Sequence, residues 1–166
     1  MNFITRIDSP IGKLTLSAND DALTGLWIEG QKYFEGTLPS DSILKDDLPV
    51  FQETDRWLQE YFSGRIPGEL PKVSPVGTSF RTVVWNELLK IPCGTTTTYG
   101  ELAAKVGKVI GHRTSARATA GAVAHNPISI IIPCHRVVAI NGVGGYAGGI
   151  GCKKYLLNLE KKTSGK

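Results

Sequence analysis

The chain opens with apolar and polar positions in near alternation. Phe3-Ile4-Thr5-Arg6-Ile7 and Lys13-Leu14-Thr15-Leu16 flank a Ser9-Pro10-Ile11-Gly12 turn, and a third apolar run from Leu23 to Ile28 follows Asp20-Asp21. The first thirty residues therefore read as strands. From Gly30 to Asp47 the chain is polar and acidic and reads as loop. The period then lengthens: Phe51, Trp57, Leu58, Tyr61 and Phe62 fall at helical spacing, and Ser63-Gly64 ends the run. Between Ile66 and Gly77 stand Pro67, Gly68, Pro71 and Pro75, too many breakers for regular structure to persist. This segment is the expected linker between two domains, residues 1–77 and 78–166.

Helical spacing dominates after the linker. Phe80, Val83, Val84, Leu88 and Leu89 make one apolar face of a helix predicted from Ser79 to Lys90 and stopped by Pro92. Thr98-Tyr99-Gly100-Glu101 has the form of a capping box, in which the Thr98 hydroxyl takes a free backbone N–H and Glu101 reaches back. The helix it opens carries Leu102, Ala103 and Val106 and is expected to break at Gly107. A basic loop, Lys108 to Arg113, leads to Thr114-Ser115, caps for a helix through Ala124. Two short helices joined by a turn, the second rich in Ala and Gly, point to a helix-turn-helix. The β-branched run Ile128-Ser129-Ile130-Ile131-Ile132 reads as a buried strand, closed by Pro133-Cys134-His135-Arg136-Val137-Val138. After a glycine-rich loop, Asn141 to Gly151, a last helix is predicted from about Cys152 to Glu160.

Charge adds a division that periodicity does not show. The net charge of +4 over 166 residues hides 7 Lys/Arg against 12 Asp/Glu in residues 1–77, and 12 against 3 in residues 78–166. One half carries −5 and the other +9, so a polyanion becomes a candidate partner of the second half. Lys161, Lys162 and Lys166 of that excess sit in the tail. Met1 to Leu16 does not have the form of a signal peptide, and no apolar run approaches the ~18 residues that cross a bilayer. Cys93, Cys134 and Cys152, at separations of 41 and 18, make neither a disulfide framework nor a metal knuckle. The expectation is a cytoplasmic protein with free thiols, without a membrane partner, metal or cofactor. Gly142-x-Gly144-x-x-Ala147 has the outline of a dinucleotide fingerprint, but it lacks the βαβ setting and the acid about 20 residues on.

Cys134 is the candidate nucleophile. An ordinary buried thiol is the commoner fate of a single cysteine, and a thiol of pKa near ~8.5 is only a few per cent ionised at neutral pH. Reactivity therefore needs a base or positive charge beside it. Neighbours on an extended segment point to opposite sides, so His135 is expected to act through a bridging water, with an acceptor orienting its other nitrogen. Glu160 is the one acid of the Leu-rich last helix and by pattern alone is a solvated terminal glutamate. Cys93 and Cys152 have no histidine neighbour and read as packing or surface thiols.

The run Ile132-Pro133-Cys134-His135-Arg136-Val137 resembles the signature of the O6-alkylguanine-DNA alkyltransferases, the methylated-DNA–protein-cysteine methyltransferases. Other segments resemble the same family in the same order: Phe80-Arg81-Thr82-Val83-Val84-Trp85, Thr98-Tyr99-Gly100-Glu101-Leu102-Ala103, Ala116-Arg117-Ala118, Asn126-Pro127-Ile128 and Gly145-Tyr146-Ala147-Gly148-Gly149. The match spans about Gly77 to Glu160; before it, only Ser9-Pro10-Ile11-Gly12-Lys13-Leu14 and Gly25-Leu26-Trp27 correspond. The stretch from Tyr99 to Arg117 is about four residues longer than in common members, the excess falling in Gly107 to Thr114, where Lys108, His112 and Arg113 are available to phosphates. Some members hold a structural zinc through N-terminal cysteines, and this chain has none before Cys93.

The resemblance implies an α+β protein of two domains, an N-terminal ribonuclease-H-like α/β domain and a C-terminal winged helix-turn-helix active-site domain. It implies stoichiometric transfer of a methyl or larger alkyl group from O6-alkylguanine, and also O4-alkylthymine, in double-stranded DNA to Cys134. By position, His135 is the base acting through a water, Glu160 orients it, and Asn126 holds the turn beside the cysteine. Tyr99 donates toward the guanine, backbone groups at Cys134, Val137, Ala147 and Gly148 read its edge, and Tyr146 lines the pocket. Arg117 corresponds to the arginine that enters the space left by an extruded nucleotide. The small residues Ala116, Ala118, Ala120, Gly121 and Ala122 let the helix enter a minor groove only about 6 Å wide. The implied protein acts as a monomer. Two rival readings remain: a cysteine hydrolase, which must regenerate its thiol, and a catalytically silent lesion-binding relative, a type that replaces the acceptor cysteine.

Overall fold

The computed structural model describes residues 1–164; Lys166 lies outside them. β1 (Phe3–Ile7), β2 (Leu14–Ala18) and β3 (Leu23–Ile28) form an antiparallel meander, as the alternation predicts. β4 (Ile43–Leu44), concealed within the polar stretch of 30–47, joins β1 in parallel and completes a sheet of order β3-β2-β1-β4. β2 is buried along its length, flanked on both sides and crossed by α1 (Pro49–Phe62). That helix starts with a proline, whose missing N–H costs nothing in a first turn. It turns Val50, Phe51, Thr54, Leu58 and Tyr61 inward.

The linker is irregular but anchored. Leu23 N–H donates to Lys72 O and Ser74 N–H donates to Leu23 O, which pairs the linker with the outer edge of β3. The same edge bonds the second half of the chain: Leu26 N–H donates to Pro127 O at 2.8 Å, and Ser129 N–H donates to Leu26 O at 3.0 Å. An otherwise open strand edge is thereby covered, and the first sheet is tied directly to the turn preceding Cys134. The linker ends at Gly77 against the buried Trp85 ring, where a Cβ would stand 2.3 Å from Trp85 Cη2.

The second domain comprises α2 (Ser79–Leu88), β5 (Thr97–Thr98), α3 (Tyr99–Ile110), α4 (Ala116–Ala124), β6 (Val137–Val138) and α5 (Ile150–Ser164). β5 and β6 form a short parallel pair beside the helices. The capping box forms as read: Glu101 N–H donates to Thr98 Oγ1 at 3.1 Å and Thr98 N–H donates to Glu101 Oε1 at 3.2 Å. α3 does not break at Gly107. It continues to Ile110 and stops at Gly111, whose φ of +82° is the left-handed conformation a glycine adopts without a Cβ penalty. Residues 107–110 are thus helix, and the basic loop shrinks to residues 111–115. α2 ends two residues short of Lys90, and α5 starts at Ile150 and runs past Glu160 to Ser164.

The run Ile128–Ile132 is buried as predicted but is not a strand. The Asn126 side chain organises it instead. Asn126 Oδ1 accepts from Ile128 N–H at 3.0 Å, and Asn126 Nδ2 donates to Ile132 O at 2.8 Å. Ile132 N–H closes the turn on Ile128 O at 3.0 Å. These bonds replace a ladder and force Ile130 to a φ of +72°, an outlier for a β-branched residue.

Candidate active site

A pocket of about 610 Å³ lies between α3, α4 and the glycine-rich loop. Tyr99, in the first turn of α3, Ala120, Val123 and Ala124 from α4, and Gly144, Gly145, Tyr146 and Ala147 from the loop line it. Lys32 and Ala139 stand in its wall, and so does Cys134, itself only 4% exposed. Tyr99 Oη donates to Gly145 O at 3.4 Å, joining the helix to the loop across the pocket. Val137 and Gly148 are outside this lining.

Cys134, His135 and Arg136 form a single 3₁₀ turn rather than the extended segment expected, and all three side chains are buried. Cys134 and His135 are therefore not separated onto opposite faces of a strand. His135 Nε2 donates to Glu160 Oε2 at 2.5 Å, while His135 Nδ1 is buried without a protein partner. An imidazole bonded this way through Nε2–H carries its lone pair on Nδ1.

Glu160 is 1% exposed, not the solvated glutamate of the sequence pattern. Arg136 Nε donates to Oε1 at 2.7 Å and Arg136 Nη2 donates to Oε2 at 3.0 Å, a two-pronged grip on the carboxylate. Arg136 Nη1 donates to Ile91 O. Tyr61 Oη donates to Glu160 Oε2 and Gly94 N–H to Glu160 Oε1. Burial alone would raise the Glu160 carboxyl, but the bonds from His135 and Arg136 outweigh it and hold the group well below the usual carboxylate range.

The other shifts follow from burial opposed by neighbours. Desolvation pushes the Cys134 thiol up, against a hydrogen bond from Asn126, the Tyr146 hydroxyl and the Lys153 charge. Desolvation pushes His135 down, against Glu160. Both groups are therefore neutral at rest near neutral pH. Tyr146 is raised well above its ordinary value by burial and by negative charge at Cys134, and its hydroxyl makes no hydrogen bond of good geometry.

Three residues of this array carry no assigned site role in the sequence pattern. Arg136 stood in view inside the Cys-His-Arg run. Lys153 Nζ, fully buried, donates to Val137 O at 2.6 Å and Gly145 O at 2.9 Å, pinning the pocket loop to the segment after Cys134. Burial lowers Lys153 to about 8, opposed by Cys134. Lys153, Leu156, Glu160 and Thr163 recur at helical spacing on the buried face of α5, a signal masked because two of the four are charged. Tyr61 comes from the N-terminal domain, 99 residues from Glu160, and no local pattern pairs them.

α4 divides its residues among three environments. Ala116, Arg117, Ala118 and Gly121 are exposed on one face, Ala120 is half-buried at the pocket, and Thr119, Ala122 and Val123 are buried. Ala122, grouped by sequence with the groove-facing residues, points inward instead, and its carbonyl accepts from Trp85 Nε1 at 2.9 Å. Arg113 lies in an open cleft of about 650 Å³ between α3 and the following turn, together with Lys108 and His112. Among the described residues no helix is long and apolar enough to cross a membrane, and no three His, Cys, Asp or Glu side chains are grouped to hold a metal ion.

The fold and site together define a two-domain protein in which a helix-turn-helix unit borders a pocket walled by Cys134, with His135 and Glu160 bonded to each other in the buried structure beside it. Residues 79–162 match the DNA binding domain, and residues 3–70 the ribonuclease-like domain, of 6-O-methylguanine DNA methyltransferase. The chain belongs to that family. It is 41% identical over 159 residues to a methylated-DNA–protein-cysteine methyltransferase of Methanosarcina barkeri, covering 95% of this chain and 96% of that one. It is 42% identical over 159 residues to that of Mycobacterium tuberculosis, covering 95% and 92%. Its fold is similar to that of the Mycobacterium tuberculosis OGT solved in complex with DNA, with a TM-score of 0.84 at 39% identity over 97% of this chain and 94% of that one.

Proposed function

We propose that this chain repairs DNA by transferring the alkyl group of O6-alkylguanine, and of O4-alkylthymine, irreversibly to Cys134, once per molecule. The observation that carries the reading is the placement of Cys134 in the wall of a pocket beside Tyr99, with His135 and Glu160 bonded behind it. Displacement at saturated carbon needs an in-line thiolate and a stabilised leaving group. The Cys134 proton passes through a water to His135 Nδ1, and Glu160 orients the imidazole and balances its new charge. As the S–C bond forms the C–O6 bond breaks, and the departing guanine is stabilised by the Tyr99 hydroxyl and by backbone groups at Cys134, Val137, Ala147 and Gly148. The departing guanine takes up one proton, balancing the one that the thiol gave through water to His135, so the products are neutral guanine and a thioether that thiols do not reverse.

The lesion reaches this pocket only as an extruded nucleotide. The exposed small residues of α4, Ala116, Ala118 and Gly121, enter the minor groove with the half-buried Ala120 at the pocket edge, Arg117 fills the vacated stack, and Arg113 contacts phosphate. The protein acts as a monomer in the cytoplasm, where the free thiols Cys93, Cys134 and Cys152 stay reduced. The domain division proposed is 1–77 and 78–166. The test is peptide mass after mixing with duplex carrying one O6-methylguanine. One methyl on the Cys134 peptide, saturating at one per protein, is expected. Multiple turnovers would favour a hydrolase, and tight binding without transfer a silent lesion binder. Cys134→Ala abolishes transfer and retains duplex binding.

A further inference from the structure

The acidic domain sends one cation to the pocket. Among the described residues that line it, Lys32 is the only one with a formal positive charge. The loop carrying it is fixed on both sides. Gln31, 6% exposed, accepts from Ile28 N–H through its side chain at 2.7 Å. Lys32 N–H donates to Ala147 O of the pocket loop at 2.8 Å. Tyr33, at a φ of +60°, stacks on His125 at the end of α4 with ring centroids 3.9 Å apart. A strained, doubly tethered backbone thus presents an exposed ammonium group, 5.3 Å from the Tyr33 ring centre, at the pocket wall, whereas the Lys153 ammonium behind the pocket is buried and held by Val137 O and Gly145 O.

A nucleotide turned into that pocket brings its base to Cys134, while its phosphates, which cannot be buried uncompensated, remain at the mouth. We propose that Lys32 binds a phosphate flanking the extruded nucleotide, so that the N-terminal domain supplies a DNA contact of its own. The inference rests on the alkyl-transfer reading, and it makes Lys32 a binding residue that touches the backbone and not the reacting atoms. A phosphate contact is made by duplex DNA and cannot be made by a free base, so two substrates separate the effects.

The experiment compares transfer from an O6-methylguanine duplex with transfer from free O6-benzylguanine, for the wild type and for Lys32→Ala, Lys32→Glu and Lys32→Arg. The ratio of duplex rate to free-base rate is expected to fall about fivefold in Lys32→Ala, further in Lys32→Glu, and to be restored in Lys32→Arg, with the salt slope of duplex binding smaller by about one in Lys32→Ala. An unchanged ratio in Lys32→Glu overturns the proposal, and so does an equal loss on both substrates, which marks a wall residue. Failure of the wild type on both substrates overturns the alkyl-transfer reading instead.

Discussion

Glu160 is ionised in a buried site because at least five donor atoms converge on it, from His135, Arg136, Tyr61 and Gly94. Its folded-state carboxyl lies below the ordinary value of 4.5, so its stabilisation is complete above pH 4.5 and is lost as pH falls from there through the folded value. Glu160→Gln strands Arg136 without its counter-charge, and removing one partner of a buried pair costs about 3–5 kcal/mol. In urea denaturation the gap between wild type and Glu160→Gln is expected to be full at pH 7 and to shrink below pH 4.5. His135 gives a separate kinetic test. Burial lowers it from 6.5, so Nδ1 keeps its lone pair below that pH. The acid limb of the transfer rate is therefore expected below pH 6.5, and a limb above that value would contradict a buried imidazole base.

Among the elements, the turn from Asn126 to Ile132 departs furthest from its sequence pattern. Five consecutive residues with strand character are held as a turn because one asparagine side chain satisfies backbone groups at both ends and the β3 edge satisfies others. Ile130 shows which energy decides. Left-handed backbone costs an L-residue roughly 1–2 kcal/mol, whereas deleting a buried isoleucine side chain costs about 2–5 kcal/mol. Ile130→Gly relieves the first and loses the second, and Gly adds its own unfolded-state entropy. A net destabilisation of about 1–3 kcal/mol is expected from thermal or urea unfolding; a stabilised variant would mean the turn is dominated by strain. α3 follows its pattern better, its cap readable from Thr98 and Glu101, while its end depended on which of two glycines, Gly107 or Gly111, took the left-handed conformation.

The two domains act as one site. β3 bonds the Asn126 turn, Tyr61 reaches Glu160, Lys32 bonds the pocket loop, and the linker lies on Trp85, whose indole holds the carbonyl of Ala122 in α4. The acidic stretch of residues 1–77 thus braces the basic stretch of residues 78–166. Gly77→Ala places a methyl group against the buried Trp85 ring and is expected to destabilise the protein by about 1–3 kcal/mol. Because Trp85 supports α4, this variant is also expected to slow repair of duplex more than reaction with a free base, measured side by side.

Local information was enough for the strands of the meander, the capping box, the helix-turn-helix and the family motif around Cys134, because each is written in neighbouring residues or a short period. It was not enough for Glu160, Lys153, Tyr61 or the Ile128–Ile132 turn. A polar side chain and a solvated one look alike in a sequence. Only packing determines whether a carboxylate meets water or, across 25 and 99 residues, a histidine and a tyrosine. Tertiary structure decided those placements because burying a charge is tolerable only where distant partners arrive together to satisfy it.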